Sequence, residues 1–473
     1  MSFAPMRMSM SAVREMDGPT VVLVSDTTGP FTFAVYKAVA DDPTRPVGVD
    51  WGDGTFEMLT PKANGTVKMS HKYPAGSYAV RIQDNLRILS FNNGAVYGYS
   101  KNETLGGDSY YNQLNYVVKD ITAAGSKLST ELSPGMFAYT GISVVPAGFT
   151  APLISPVNSS ARMIPAGCFM GCASLRTISV GMMQDVRVVD SFAFADCASL
   201  ENVDAFSSAR VIRIGYFAFR NCTSLRNLNG FSGTPLTNDV ASVLFAGQSG
   251  GYLQQIDAIK AALGNSYRIQ HFMEPLGRNA FYGCSALADV SGISIASGSL
   301  GMNAFSLCSS LVTVPGELVN LQGGAYSIDS PGSGVAWVRD ARPAVYADSS
   351  TKWELSSYGD PSDAYDSGSF FDNTPSPSVF RDWPVILATQ YVGCTGLTEI
   401  TLSRTEYRIG TDAFYGCTNL MRVNFPNMTT NQVAEINATN ANGASSAGTF
   451  KRYPWGLPSG CQVVCKDGTL TVA

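Results

Sequence analysis

The sequence predicts a mainly β protein, with a β-sandwich at the N-terminus followed by a long repeat solenoid closed by a hairpin. Three observations predict it. Residues 20–95 alternate apolar and polar side chains at strand period around a Trp-Gly-Asp-Gly turn. Seven later segments share one spacing of aromatic, cysteine and leucine. The composition, with 46 glycines and only 15% charged residues, suits strands and loops while leaving apolar material for a core. At 473 residues the chain is too long for one ordinary domain, although a solenoid can lengthen without dividing.

The repeat sets out the largest part of the chain. Its cysteines are Cys172, Cys197, Cys222, Cys284, Cys308, Cys394 and Cys417. Three residues before each stands an aromatic: Phe169, Phe194, Phe219, Phe281, Phe305, Tyr391 or Phe414. Three after each stands Leu175, Leu200, Leu225, Leu287, Leu311, Leu397 or Leu420. An aliphatic lies eight before the cysteine (Ile164, Val189, Ile214, Leu276, Leu300, Ile386, Ile409) and another six after (Ile178, Val203, Leu228, Val290, Val314, Ile400, Val423). The position four before is small in every copy except the one with Gln390. Adjacent copies recur every 23 to 25 residues, in the range of leucine-rich repeats. One such unit cannot bury its own apolar face, so the copies must stack and share a ladder of side chains. In that ladder cysteine serves as a small buried residue with a weak S–H donor.

Ile214-Gly215 through Leu225 and Ile409-Gly410 through Leu420 resemble the BspA-type leucine-rich repeats of surface proteins, whose pattern reads roughly I-G-x-x-A-F-x-x-C-x-x-L. The resemblance covers about residues 130 to 430, with interruptions, and implies adhesion or ligand binding. Met136-Phe137 through Phe149 looks like a degenerate first copy with Thr140 in the cysteine slot.

The N-terminal strands are expected at Val21–Val24, Phe31–Val35 and Tyr78–Ile82. Between them lie Val49-Asp50-Trp51-Gly52-Asp53-Gly54-Thr55 and His71-Lys72-Tyr73. The glycines permit a tight turn, Asp53 can accept from local amides, and Trp51 packs inward, with His71 and Tyr73 returning to the turn. The pair resembles the signature of polycystic-kidney-disease-type (PKD) domains, which implies an immunoglobulin-like sandwich serving as spacer or binding module.

The expected organisation is an arm at 1–19 with five methionines, a sandwich at 20–95, repeats over 96–450 and a cap at 451–473. Two insertions interrupt the repeats, at about 231–275 and 318–384. The first contains a helical spacing at Gln255–Gly264. The second carries Trp337, Trp353, Tyr358 and Trp383, the candidate binding residues. Such loops either bind a ligand, or pad the solenoid or pack on a neighbouring subunit. Cys461 to Cys465, followed by Asp467-Gly468, reads as a closing hairpin.

Candidate chemistry is thin. His71 belongs to the sandwich motif and His271 has no nucleophile at recognisable spacing. Cys168 with Cys172, and Cys461 with Cys465, could form a four-thiolate zinc site, but Cys168 sits in the small slot of its repeat. Asp360, Asp363, Asp366 and Asp372 lack the spacing of an EF-hand and read as a solvated loop. No catalytic residue, cofactor or metal is therefore expected. The net charge of −5 argues against a nucleic-acid surface, and no apolar stretch reaches membrane-spanning length. The first residues lack the pattern of a secretory signal, so synthesis in a cytoplasm without ordinary export is expected. Together these expectations describe a non-enzymatic bacteriophage virion protein, a fibre, spike or capsid decoration that binds a host receptor or glycan and neighbouring virion proteins as an assembly subunit or homo-oligomer. The alternatives are a bacterial cell-surface adhesin and an accessory protein of a secreted hydrolase system.

Overall fold

The computed structural model of the chain describes residues 16–25, 29–91, 116–122, 124–125, 127–154, 161–178, 180–237, 275–277, 279–295, 303–312, 320–321, 384–386, 391–403, 408–409, 413–434 and 455–472. It is mainly β. Ten strands come first: β1 (Thr20–Val24), β2 (Phe31–Ala34), β3 (Lys37–Ala40), β4 (Val47–Asp50), β5 (Phe56–Leu59), β6 (Thr66–Val67), β7 (Ser70–Tyr73), β8 (Ser77–Ile82), β9 (Leu86–Ser90) and β10 (Val118–Thr122). They form an antiparallel five-stranded sheet in the order β10-β1-β8-β4-β5, a β2-β7 pair and a β6-β3-β9 sheet. Because alternate residues of a strand face opposite sides, Val21, Leu23, Val49, Val80 and Ile82 turn inward from the large sheet. They share one core with Phe33, Ala38, Val67, Tyr73 and Leu89 of the smaller sheets.

The 51–55 turn closes with the Trp51 N–H donating to the Thr55 carbonyl at 3.0 Å. Gly52 (φ 79°) and Gly54 (φ 90°) lie in the left-handed region, and a Cβ on Gly52 would come within 2.6 Å of the Ala79 oxygen. One boundary differs from the expected 20–95. Strand β10 lies beyond residue 95 yet pairs with β1, Val21 opposite Ile121, and buries Val118 and Ile121 on the common core.

The repeats follow as coils joined by short parallel pairings. On one side run β11 (Arg162–Ile164), β12 (Val186–Val189) and β13 (Arg213–Ile214), which carry the aliphatic that lies eight before each cysteine. A single parallel bridge from Ile214 to Leu276 continues this side across the first insertion. The later copies contribute β14 (Asn320–Leu321), β15 (Pro384–Ile386), β16 (Glu399–Thr401), β17 (Arg408–Ile409) and β18 (Arg422–Phe425), and the chain ends with β19 (Gln462–Cys465) and β20 (Gly468–Thr471). In the sheet β16-β18-β19-β20, Ile400 lies opposite Val423 and Val423 opposite Val463, all parallel, before β20 folds back antiparallel.

Both insertions leave the stack from a defined point. The first begins later than about 231: Phe231 and Leu236 are buried in their coil, and the Leu236 N–H bonds the Ser294 carbonyl at 2.8 Å. The second is closed at its base, where Asn320 pairs with Val385 and Leu321 with Pro384. At the C-terminal end, Thr429 and Gln432 cap the helical turn 430–434 reciprocally, with the Thr429 N–H on Gln432 Oε1 at 2.8 Å and the Gln432 N–H on Thr429 Oγ1 at 3.3 Å. Asp467, in the turn between β19 and β20, accepts from the Thr430 N–H at 2.7 Å and from its hydroxyl at 3.2 Å, pinning the last hairpin to that turn.

The tight coil-to-coil approach gives a test. A Cβ on Gly230 would fall 1.8 Å from the Val203 oxygen, whereas one on Gly233 meets nothing nearer than 3.9 Å. Gly230→Ala should lower stability by about 2–3 kcal/mol and Gly233→Ala by less than about 0.5. Urea unfolding of the two variants beside the parent checks the difference.

Candidate functional site

Each coil turns the same set of side chains inward. All seven aromatics, the seven cysteines and their seven leucines are at most 1% exposed. The rings form a continuous column. Phe169 to Phe194 is 5.3 Å between centroids, Phe194 to Phe219 5.2 Å, Phe281 to Phe305 5.7 Å and Tyr391 to Phe414 5.8 Å, with planes within 11° of parallel. The insertions do not break it, since Phe219 stacks on Phe281 at 5.3 Å and Phe305 on Tyr391 at 6.1 Å. Toward the N-terminus the column runs through Phe137 to Phe91, 6.0 Å away, and on to Phe33 of β2 at 6.4 Å. Offset contacts of this kind add about 0.5–1.5 kcal/mol per pair beyond area burial.

The thiols have a specific task. The carbonyl of each coil's aromatic accepts the N–H of its own cysteine, Cys197 N–H to Phe194 O at 3.2 Å for example. Its second lone pair takes the S–H of the next coil's cysteine: Cys197 to Phe169 O at 3.1 Å, Cys222 to Phe194 O at 3.2 Å, Cys284 to Phe219 O at 3.1 Å. The series continues with Cys308 to Phe281 O at 3.3 Å, Cys394 to Phe305 O at 3.1 Å and Cys417 to Tyr391 O at 3.0 Å. Cys172 reaches Phe137 O at 3.0 Å, and Thr140, in the cysteine slot of the first coil, sits 3.5 Å from the Cys172 sulfur. Burial pushes the Cys172 and Cys417 thiols up to about 12, keeping them protonated donors.

The residue before the cysteine carries a signal the repeat reading does not use. Gly171, Asp196, Asn221, Gly283, Leu307, Gly393 and Gly416 all have φ between 54° and 77°, as does Tyr139 in the first coil. Gly, Asn and Asp adopt that conformation most cheaply, and they fill six of these seven repeat positions. A second left-handed position, five before the cysteine, holds Gly167, Phe192, Phe217, Asn279 and Asn303.

Positions off the column differ from coil to coil, from the buried Phe192 to the half-buried Phe217, Arg220 and Tyr282. Phe192 stacks on Phe217 at 4.8 Å, and the Arg220 guanidinium lies 5.7 Å from the Phe217 ring centre and 6.0 Å from that of Tyr282. Asn221 Nδ2 donates to Asp196 Oδ1 at 2.8 Å beside them. Further along, Leu307, Val312, Tyr415 and Met421 are exposed. A polar ladder links neighbouring coils, with Thr223 Oγ1 donating to Ala198 O, Ser309 Oγ to Ser285 O and Thr395 Oγ1 to Ser309 O at 3.3–3.4 Å.

In the N-terminal sheets, His71 Nε2 lies 2.8 Å from Asp53 Oδ2, and its ring stacks on Trp51 at 4.7 Å. The Tyr73 hydroxyl donates to the Trp51 carbonyl at 2.9 Å. Burial acts to raise the Asp53 carboxyl, but hydrogen bonds from the Thr55 hydroxyl, His71 and the Thr55 amide outweigh it and hold it at about 2. Cys461 and Cys465 are buried, which pushes both thiols up to about 11. Cys168 is buried beside the column like the alanines of its slot. Trp337, Trp353, Tyr358, Trp383, His271, the four aspartates at 360–372, the 255–264 spacing and the arm before residue 16 lie outside the described residues. Among the described residues no group of three or more His, Cys, Asp or Glu could hold a metal, and no helix is long and apolar enough to cross a membrane.

Residues 155–246, 264–327 and 385–438 match the family described as BspA type leucine rich repeat region, in six copies. The chain is also similar to a leucine-rich repeat protein from Bacteroides ovatus of known crystal structure. That likeness has 15% identity over 66% of this chain and 68% of the other, with a TM-score of 0.23, too low to compare the two folds. No curated protein matches the chain.

Two measurements address these contacts. Cys222→Ala should cost about 1–3 kcal/mol, because it removes a buried group and leaves the Phe194 carbonyl one donor short. Denaturant unfolding reads this directly. Asp53 is more acidic folded than unfolded, so its stabilisation is complete above the ordinary 3.8 and is lost as pH falls toward 2. Asp53→Asn should lower stability by about 1–2 kcal/mol at neutral pH and flatten that acid limb, as read by urea midpoints from about pH 5 to pH 2.

Proposed function

We propose that the chain is a non-enzymatic adhesion protein, with its repeats forming a solenoid whose outer face meets a host surface or glycan and its N-terminal strands forming an immunoglobulin-like, PKD-like spacer. The observation that carries this reading is the division of labour within the coil. Seven cysteines in equivalent slots are occupied in coil-to-coil packing, while the slot two before the cysteine varies and holds Arg220, Tyr282 and Tyr415 among others. A constant scaffold with a varied aromatic and polar face suits recognition. The match to BspA-type repeats supports the same reading.

We place the protein on a bacteriophage particle as a fibre, spike or capsid decoration, with other virion proteins as neighbours. A bacterial cell surface fits the repeat match equally well. In both settings the reading expects no cofactor.

A glycan array probed with the full chain, with Arg220→Ala and with Tyr282→Ala tests adhesion. Binding to a defined glycan class, weakened at least about tenfold by one substitution, is expected, since a lost anchor of 1.4 kcal/mol or more has that effect. Absence of any glycan or host-cell binding would overturn it. Mass spectrometry of purified phage particles and of cell envelopes separates the two settings, and absence from the particles sinks the virion placement.

A further inference from the structure

All ten cysteines of the chain are buried and none forms a disulfide. Seven occupy one slot in successive coils, and every thiol reaches the same way, to a carbonyl of the coil before it. The rings three residues before successive cysteines lie 5.2–6.1 Å apart between centroids, which sets the coil-to-coil spacing beside the thiols. That falls inside the Cα separation a disulfide accepts, roughly 4.4–6.8 Å. Proximity therefore does not protect these thiols from one another. What protects them is burial, together with the cost of bridging, since joining two neighbours would take two S–H donors away from buried carbonyls.

We propose that this thiol row makes folding conditional on a reducing environment: the coils must close before the chain meets a thiol oxidant, and once closed they shield the row from it. In the unfolded chain all the thiols are open to exchange. Cys168 and the seven slot cysteines alone admit about 105 complete pairings. None occurs in the folded chain. The chemistry balances with oxidised glutathione as the oxidant. Two chain thiols give up two electrons and two protons, one S–S bond forms between them, and the S–S bond of glutathione breaks to yield two reduced molecules. Folding removes both requirements for attack, access and the thiolate, because burial keeps the thiols protonated.

Whether or not the protein serves adhesion, a fold that closes only in reducing conditions bears on how it reaches its destination. A chain that crosses a membrane unfolded into an oxidising compartment would be trapped by wrong bridges. One that folds in a reducing cytoplasm and is released folded would not.

The test uses the full chain. Native protein should react with Ellman's reagent at least about a hundredfold more slowly than protein in guanidinium, as burial of the row requires. Denatured, reduced protein is then refolded with reduced glutathione, or with oxidised glutathione plus a disulfide isomerase, and both arms are read by circular dichroism and thiol titration. Recovery in the first arm, with at least a tenfold lower yield and lost thiols in the second, is the expected result. Equal recovery in both arms, or native structure containing disulfides, would overturn the proposal. Should neither arm refold, the chain is fused to an export signal and produced in bacteria with and without their periplasmic disulfide oxidase. Native protein accumulating only without the oxidase supports the proposal, and equal yields overturn it.

Discussion

The structure depends on a shared carbonyl. In each cysteine-bearing coil but the last, the aromatic residue's oxygen accepts one N–H from its own cysteine and one S–H from the cysteine of the coil that follows. A buried carbonyl has two lone pairs and gains from filling both. Alanine would fit the space but leave the second unfilled. Serine would add a stronger donor whose own oxygen also needs partners in an apolar column. Cysteine meets the demand at the lowest polarity, and Thr140 shows a hydroxyl accepted at the end of the row, where it donates to Phe137 O at 2.8 Å.

That bond acts beside the backbone bonds from coil to coil, such as the Phe194 N–H on the Ala218 carbonyl, and together they hold a common spacing. Rings brought to 5–6 Å can stack only if their planes run parallel, which the column shows throughout the repeats. The sharp bend before each cysteine must then repeat, so the backbone turns left-handed there in copy after copy. Where Asn221 or Leu307 occupies the bend, the next coil offers a glycine: a Cβ on Gly283 would lie 2.4 Å from Asn221 Oδ1, and one on Gly393 2.6 Å from the Leu307 side chain. The side chains at this position are thus matched in adjacent pairs.

Much of this was legible in the sequence because it is written seven times. The inward slots repeat with the same chemistry, so Phe194, Cys197 and Leu200 predict the surroundings of Phe219, Cys222 and Leu225. The glycine, asparagine and aspartate before the cysteine carry an equally regular signal, but one of backbone conformation rather than hydrophobicity. Pairings of distant segments were not legible. Strand β10 is five residues, Val118–Thr122, whose place beside β1 depends on tertiary packing and not on local pattern. The packing of Leu236 and Thr237 was hidden for the same reason, since Leu236 bridges to Ile295 far along the chain and the Thr237 N–H bonds the Ile212 carbonyl. The outer face was the least legible of all. Its residues are free to differ, so no periodicity marks Arg220 between Phe217 and Tyr282.

The continuous column also sets how the molecule carries a load. The core of the N-terminal strands runs into the first coil through Phe33, Phe91 and Phe137 without a polar gap. A pull between the N-terminal strands and the last hairpin therefore acts on coil-to-coil interfaces connected in series, made of ring contacts, thiol bonds and, at the end, the β18–β19 pairing. Tension in a series is the same at every joint, so rupture begins at the weakest interface and leaves the remaining coils folded. The resistance of the whole chain to such a pull is set by one joint and not by the number of coils.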